Sequence, residues 1–400
     1  MTSATYIYQN LYEAWRVNYN VMEDVSALEE TSIPVTNKSP KYRFVREQIR
    51  ESIETQRYGP GERLPADSEL AARFDTSRLT VIRALRDLEN EGLVKRRAGA
   101  GTFVSTPVQL EPHEFGLLIP DLGDGEIFEP ICRGMARSGK SARQALLWGN
   151  VSASAKTKEQ QAEELCRYFI SRKVAGVFFA PVELTEHKDQ LNIRIASELE
   201  RARIPVVLLD RCIYPFPRRS HFDLVGIDNV RAGYCITEQV LKTGCRRVAF
   251  VSRPDSAPTI QTRIAGYREA LLRNACEVDP LLVAEFDPAD KEEFKSFMQA
   301  VRPDGVICAN DFTAGQLMHS AIASGVSIPD ELRMVGFDDV KYASLLPVPL
   351  TTVHQPCAEI GAAAVTAMLQ RLEKPDLTGR DILLDFRIIV RQSCGGSENS

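Results

Sequence analysis

The first motif with chemical potential is a helix start at residues 76–85, which read TSRLTVIRAL. The sequence places Ser77, Arg78 and Thr80 in the first turn of a helix whose inner face is apolar. A helix N-terminus attracts phosphate, an arginine there can donate two hydrogen bonds to a guanine edge, and hydroxyl groups can hold the phosphate backbone. The motif therefore predicts a DNA-recognition helix.

A second group of polar side chains follows the apolar runs of the remaining chain. Each member stands where a candidate strand ends or the next helix begins, and the group comprises Asp210, Arg263, Asn310, Asp338 and Gln355. Parallel α/β sheets bind ligands at the carboxyl ends of their strands. Fixed donors and acceptors suit a polyhydroxylated ligand, with Phe128 or Phe286 as an aromatic face for its C–H surface. These residues predict a site for a sugar-like molecule.

The segments around the helix-start motif predict a domain of three helices. Apolar residues four positions apart, from Val45 to Ile53, form the stripe of a first helix. Asp67 is placed to cap a short second helix, and the third helix runs from the motif to Gly92. The three helices are short and close together in sequence, as in small DNA-binding domains.

A two-stranded hairpin is predicted directly after these helices. Residues 93–97 and 102–104 are the candidate strands, and a glycine-rich turn joins them. The first strand carries Lys95, Arg96 and Arg97, and the glycines allow the backbone to lie close to a phosphate. Three helices followed by a hairpin are the order of a winged helix.

The rest of the chain alternates between apolar runs and helix-length amphipathic segments. This alternation predicts parallel sheets covered by helices on both faces, arranged as two lobes with a cleft between them. The predicted strands are Phe115–Ile119, Ala145–Trp148, Gly176–Ala180, Val206–Leu209, Leu224–Ile227, Val248–Val251, Gly305–Cys308 and Met334–Gly336.

Charge is distributed unevenly along the chain. The net charge is −5, yet residues 38–104 carry 14 bases against 10 acids, so a polyanion is expected to bind there. The nine cysteines and five histidines show neither Cys-x-x-Cys pairs nor zinc-site spacing, and we predict no metal or other cofactor. A start without a signal-peptide pattern and the absence of 18 successive apolar residues predict a cytoplasmic protein with no membrane partner.

Residues 41–104 resemble the winged helix of the GntR family. The shared motifs, in order, are Lys41-Tyr42, Pro60-Gly61, Leu64-Pro65, Glu69-Leu70-Ala71, Ser77-Arg78, Thr80-Val81, Glu91-Gly92-Leu93-Val94, Gly99 and Gly101-Thr102-Phe103-Val104. The resemblance implies DNA contacts from the helix start, from a recognition-helix arginine and from the wing. We expect the DNA-binding residues to be Lys41, Ser77, Arg78, Thr80, Arg83, Arg97, Gly99, Gly101 and Thr102.

The chain departs from the usual GntR pattern at several positions. Ala66 and Asp67 replace Ser-Glu, Ile82 stands where an arginine is common, and Ala98 and Ala100 replace polar wing-tip residues. These departures suggest a weaker wing contact and an unusual half-site.

Residues 115–393 resemble the effector-binding domain of the LacI/GalR family, which is similar to periplasmic sugar-binding proteins. The shared motifs include Asp210-Arg211, Asp228-Asn229, Arg263 with Ala265-Gly266-Tyr267, Asn310-Asp311, Gly336-Phe337-Asp338-Asp339 and Leu350-Thr351-Thr352-Val353 with Gln355. The family's ligand contacts match Asp210, Arg263, Asn310, Asp338 and Gln355. The combination with a GntR-like domain resembles the hybrid arabinose repressors of Gram-positive bacteria and implies a pentose effector, although the loop 123–126 shows no pentose-specific pattern.

These observations predict a DNA-binding transcription regulator that is not an enzyme. We expect a homodimer that binds double-stranded operator DNA and releases it when a sugar-like effector binds, with corepression as the alternative. The expected domains are a flexible extension at 1–37, a winged helix at 38–106, a linker at 107–114, an effector-binding and dimerisation domain at 115–394, and a tail at 395–400.

Other functions remain to be weighed against this one. Residues 134–141, GMARSGKS, match the phosphate-binding loop of ATPases, but a predicted helix precedes them where a strand is required. A solute-binding protein that never contacts DNA would leave the basic segment without a role. Individually, the cleft residues could also be helix caps, strand-end caps or surface ion pairs, and the basic residues could merely solvate a small domain.

Overall fold

The computed structural model describes residues 41–55, 57–97, 100–105, 113–120, 127–138, 144–149 and 157–396. The chain divides into two compact units between Gln109 and Leu110. The predicted extension at 1–37, the wing residues Ala98 and Gly99, and the loop 123–126 lie outside the described residues, as do most of the linker and the last four residues of the tail.

In its described residues, the first unit has the three helices and the hairpin that the sequence predicts. Its apolar stripes meet in one core around Ile49, Leu70 and Leu85. β1 and β2 pair antiparallel, from Val94 opposite Val104 to Arg97 opposite Gly101. The elements are α1 Lys41–Glu54, α2 Asp67–Arg73, α3 Arg78–Asn90, β1 Val94–Arg97 and β2 Gly101–Val104.

The second unit contains two six-stranded sheets, which confirms the two-lobed α/β fold. In the first sheet the strand order is β13-β7-β6-β5-β3-β4, and all neighbours are parallel. Its first strand begins two residues before the predicted start. The strands are β3 His113–Leu118, β4 Gln144–Trp148, β5 Gly176–Phe179, β6 Val206–Leu209, β7 Asp223–Ile227 and β13 Asp381–Leu384.

The second sheet has the order β14-β12-β11-β10-β8-β9, in which β14 alone runs antiparallel to its neighbour. β9 and β14, like β13 of the first sheet, were not predicted. The strands are β8 Val248–Ser252, β9 Val283–Glu285, β10 Gly305–Cys308, β11 Arg333–Asp338, β12 Thr351–His354 and β14 Arg387–Ile389.

Helices cover both sheets, and the chain passes between the sheets three times. The passages follow β7, β12 and β13. The helices of this unit are α4 Phe128–Ser138, α5 Lys158–Arg172, α6 Lys188–Arg201, α7 Asn229–Lys242, α8 Pro258–Arg273, α9 Lys291–Val301, α10 Asp311–Ala323 and α11 Cys357–Glu373.

Two pairs of these helices pack in backbone contact. In the pair α7 and α8, a Cβ atom at Gly266 would lie 1.9 Å from the carbonyl oxygen of Val230. In the pair α4 and α11, a Cβ atom at Gly361 would lie 2.1 Å from the carbonyl oxygen of Ile131. Because the helices have no room for any side chain at these positions, each pair is held at a fixed separation.

This packing predicts opposite effects for two glycine-to-alanine substitutions. Gly266→Ala should lower the free energy of unfolding by about 1–3 kcal/mol, since the new methyl group overlaps backbone atoms that cannot move aside independently. Gly315→Ala on α10 should raise it by about 0.5–1 kcal/mol, because the nearest atom to a Cβ there is 3.5 Å away and alanine favours a helix. Calorimetric unfolding of the full chain compares the two variants; equal shifts would contradict the close contact.

Candidate effector cleft and DNA-reading face

The start of α3 is built to present polar groups outward. Val81 and Leu85 on its inner face are fully buried, whereas Ser77 and Arg78 are exposed. The Ser77 hydroxyl accepts a hydrogen bond from the Thr80 backbone N–H and lies 2.8 Å from the Thr80 hydroxyl. This cap begins the helix and places three of the predicted DNA-binding side chains in its first turn.

Two further predicted DNA-binding residues flank this turn. The ammonium group of Lys41 donates a hydrogen bond to the carbonyl oxygen of Asp75 at 3.2 Å, in the connection between α2 and α3. The exposed guanidinium of Arg83 lies 4.1 Å from the ring centroid of Tyr42. The beginning of α1 therefore supports the basic face of α3.

An ion pair that was not predicted from the sequence joins the wing to the helices. Arg96 of β1 forms an ion pair with Asp67, and its backbone N–H donates to Glu89 at 2.9 Å. Asp67 is one of the departures from the usual GntR pattern, and here it holds the hairpin against α2. Arg97 stays exposed, with its guanidinium 5.0 Å from the ring centroid of Phe103.

Gly101 and Thr102 were both predicted to contact DNA from the wing, and the structure gives them different environments. Gly101 adopts a φ of +110°, and a Cβ there would lie 2.8 Å from Nε of Arg63, so glycine fits this turn. The side chain of Thr102 points inward and is buried, because residues alternate in β2 and Thr102 shares the core face with Val104. Gly99 lies outside the described residues.

In the second unit, Arg263 is the most heavily bonded of the predicted cleft residues. Its guanidinium donates to Oδ1 of Asn229 at 2.8 Å and to the carbonyl oxygen of Ala309 at 2.5 Å. Its third nitrogen lies 3.8 Å from Oδ1 of Asp338, and the group stacks on the Phe337 ring at 4.2 Å. Arg263 is buried and joins α8 to the start of α7 and to the ends of β10 and β11.

The other side of the cleft is formed by residues after β5 and β6. Asp210 follows β6 with a φ of +66° and is buried. The next residue, Arg211, forms an ion pair with Glu183 and lies 5.2 Å from the ring centroid of Phe128. Glu183 also accepts a hydrogen bond at 3.1 Å from the backbone of Ala257, at the start of α8.

Sequence reasoning did not assign Glu183 or Arg211 to the site. Arg211 belongs to the Asp-Arg motif that supports the family resemblance, and this motif was the available signal. Burial raises the pKa of Asp210, although Arg211 and Arg263 oppose this effect. For Glu183 the balance is reversed: burial opposes ionisation, but the charge of Arg211 holds the pKa below its usual value.

Three buried polar atoms of the cleft have no hydrogen-bond partner among the described residues: Oδ1 of Asp210, Nε of Arg211 and Oε1 of Gln355. Gln355 is 1% exposed, and its amide nitrogen donates to Oδ1 of Asp338 at 2.8 Å. Because buried polar groups are normally paired, these three atoms are notable as free hydrogen-bonding positions in the interior.

Two residues predicted to contact the ligand, Asn310 and Phe286, have structural roles of their own. Asn310 caps α10 by accepting a hydrogen bond at 2.8 Å from the Thr313 backbone, which is the alternative weighed for it above. Phe286 packs against Phe297 in the core of the second lobe, with their ring centroids 5.3 Å apart, so it offers no free aromatic face. Phe128 is the aromatic candidate that contacts cleft residues.

The ATPase interpretation is not supported by the structure. Gly134 lies inside α4, where its neighbour across the helix pair is Ala358, so a helix stands where the phosphate-binding loop needs a strand. In the part of the chain that the structure describes, no group of three metal-ligating side chains comes together. The helices described there include none that is long and apolar enough to span a membrane.

Two parts of the chain match known families. Residues 41–104 match the bacterial regulatory proteins of the gntR family, and residues 237–394 match the periplasmic binding protein-like domain. The first match spans the helices and hairpin of the first unit, and the second match covers the later part of the second unit.

Several known proteins are similar to the whole chain or to a large part of it. The chain is 29% identical over 375 residues to the arabinose metabolism transcriptional repressor of Geobacillus stearothermophilus, which covers 88% of this chain and 97% of that protein. It is 25% identical over 288 residues to the ribose operon repressor of Halalkalibacterium halodurans, covering 71% and 80%. The transcription regulator CcpA of Lactococcus lactis has the same fold over 71% of this chain and 99% of its own, with a TM-score of 0.60 and 22% identity.

The fold and these matches define a transcription regulator that joins a GntR-family DNA-binding domain to a periplasmic-binding-protein-like effector domain. Within this class, the chain has the hybrid architecture of the arabinose metabolism repressors, and its alignment with one of them spans both domains. A solute-binding protein without DNA binding does not fit the first domain.

The exposed position of Arg78 leads to a prediction for DNA recognition. On a DNA site selected in vitro with the wild-type protein, Arg78→Ala should lose about 1–3 kcal/mol of binding free energy, mainly at one base pair. Arg50→Ala is the matched control. Arg50 forms an ion pair with Glu91, with 2.5 Å between nitrogen and oxygen, and this pair lies at the opposite end of α3 from Arg78. Titration of labelled DNA checks both, and unchanged affinity for Arg78→Ala would contradict the assignment of the recognition helix.

Proposed function

We propose that the protein is a homodimeric repressor whose affinity for operator DNA falls when a neutral, sugar-like effector binds in the cleft. The observation that carries this proposal is the set of three unpartnered polar atoms on Asp210, Arg211 and Gln355. Two of them are acceptors and one is a donor. A polyol supplies hydroxyl hydrogens for the acceptors and a hydroxyl oxygen for the donor.

The charges of the cleft favour an uncharged effector. Arg211 is already paired with Glu183, and Arg263 lies beside Asp338. Neither guanidinium is therefore left over to balance a phosphate group, and the buried carboxylate of Asp210 would repel one. The names of the arabinose and ribose repressors support a pentose as the effector.

We assign effector binding to Phe128, Asp210, Arg263, Asn310, Asp338 and Gln355, with Glu183 and Arg211 added from the structure. Phe128 contributes through its contact with Arg211. The amide oxygen of Asn310 keeps its helix-capping bond, and the amide nitrogen is assigned to the ligand. The resulting set draws on both lobes, so a ligand bound to all of them bridges the cleft.

On the DNA side, the proposed contacts are Lys41, Ser77, Arg78, Thr80, Arg83, Arg97, Gly99 and Gly101. Thr102 is retained as a backbone contact only, since its side chain is buried. One winged helix makes too few contacts for tight binding, so a dimer on a palindromic site in the cytoplasm is proposed. The proposed domains are 38–106 and 115–394, and the division at Gln109 falls in the linker 107–114.

Effector binding is proposed to act through the angle between the two lobes. Lobes that close on a ligand change the spacing of the paired subunits and thus of their DNA-binding heads, which must match the helical repeat of DNA. We propose induction, in which the effector releases DNA. Corepression is the opposite outcome of the same measurement, namely tighter operator binding in the presence of effector.

An effector screen should separate neutral sugars from phosphorylated ones. Neutral pentoses and nucleosides are compared with their phosphates in thermal unfolding of the full chain. A neutral effector at about 100 times its dissociation constant should stabilise the second domain by about 2.7 kcal/mol, whereas the matched phosphate should have little effect. Stabilisation by the phosphate alone would contradict the neutral-effector assignment.

Substitution of Arg263 should separate DNA binding from release. Arg263→Ala is expected to retain operator binding but to lose the response to the effector, since the cleft loses its donor fork. Arg273→Ala is the control and should respond to the effector as the wild type does. Arg273 lies on the exposed face of the same helix, where it forms an ion pair with Glu269 at 2.6 Å. Calorimetric titration of the wild type with effector, in the presence and absence of operator DNA, tests the coupling. Because linkage is reciprocal, an effector that weakens DNA binding must itself bind more weakly when DNA is present. Equal effector affinities in the two titrations would mean that the domains are uncoupled.

A further inference from the structure

We propose that Leu79 recognises the methyl group of a thymine in the operator, an inference that rests on the DNA-binding function proposed above. Leu79 occupies the first turn of α3 between Arg78 and Thr80, and its side chain is 78% exposed. Nearby apolar residues of the same helix, such as Val81 and Leu85, are completely buried. The exposed leucine is therefore outside the domain core.

The surroundings of Leu79 indicate which kind of partner covers it. Residues 79, 83 and 86 follow the i, i+4, i+7 spacing that places side chains on one face of a helix. Arg83 and Arg86 are exposed on that face, and Arg78 is exposed beside Leu79. A single apolar side chain at the end of a row of arginines fits a polyanion that also offers an apolar group, rather than an apolar protein surface.

DNA offers such a group at one base. In the major groove, thymine presents a C5-methyl group, while the other bases present only hydrogen-bonding atoms. Leucine has no donor or acceptor, so it selects through this apolar contact alone. In the same turn, the hydroxyl of Thr80 lies 2.8 Å from the hydroxyl of Ser77 in the helix cap, while Arg78 and Leu79 are exposed next to them.

Replacing thymine with deoxyuracil tests the proposal, because the exchange removes only the methyl group. A preferred site is first selected from random DNA with the full-length wild-type protein, and each thymine is then replaced singly by deoxyuracil. We expect the affinity of the wild type to fall about fourfold at one thymine of each half-site, the effect of losing one buried methyl contact. Leu79→Ala should bind the unmodified site about sixteenfold more weakly, because the dimer loses a fourfold contribution in each of its two half-sites, and it should be insensitive to that replacement.

Two further variants complete the design. Leu272→Ala removes another exposed leucine, 63% exposed on α8, and should keep the sensitivity of the wild type. Leu79→Asn, used in a new selection, should replace the thymine preference at that position with adenine, because an amide can form two hydrogen bonds with adenine.

The outcomes distinguish this inference from the proposed function. If the wild type enriches a site but no thymine-to-deoxyuracil exchange lowers its affinity, or if Leu79→Ala keeps the same sensitive thymine, the inference is wrong while the DNA-binding function stands. If the wild type enriches no sequence from random DNA, both the proposed function and the inference are wrong.

Discussion

A buried guanidinium must be neutralised and hydrogen-bonded, and in this protein the groups that satisfy Arg263 belong to the segments that form the cleft. Asn229 stands where the chain first passes from one sheet to the other, Ala309 directly follows β10, and Asp338 ends β11. Without this set of bonds, a charge would be left uncompensated in the interior. Arg263 therefore holds together the three segments that form the floor of the cleft.

Much of the fold follows from the hydrophobic pattern, and the exceptions have physical causes. Strands such as β6 and β10 are buried on both faces, so they appear in the sequence as continuous apolar runs. β13 alternates between exposed and half-buried residues, and β9 and β14 have only three residues each, which is too few to show a pattern. The core strands were thus predictable, whereas short edge strands depended on tertiary pairing.

The predictability of the site residues depended on where they stand relative to a strand. Asp210 and Asp338 directly end apolar runs, and Gln355 follows β12, so topology places each of them at the carboxyl edge of its own sheet. Glu183 lies several residues beyond β5 in a connection without periodicity, and only the structure shows that it reaches Arg211. The burial of the Thr102 side chain was not predicted, because a four-residue strand gives too little alternation to tell its inner face from its outer face.

The glycine contacts between helices also have a mechanical consequence. Each pair, α7 with α8 and α4 with α11, is locked backbone to backbone, so neither can slide to absorb a disturbance. If a ligand draws the lobes together, we expect the three segments that connect the sheets to bend while each lobe moves as one body. The displacement of an atom would then grow with its distance from those segments.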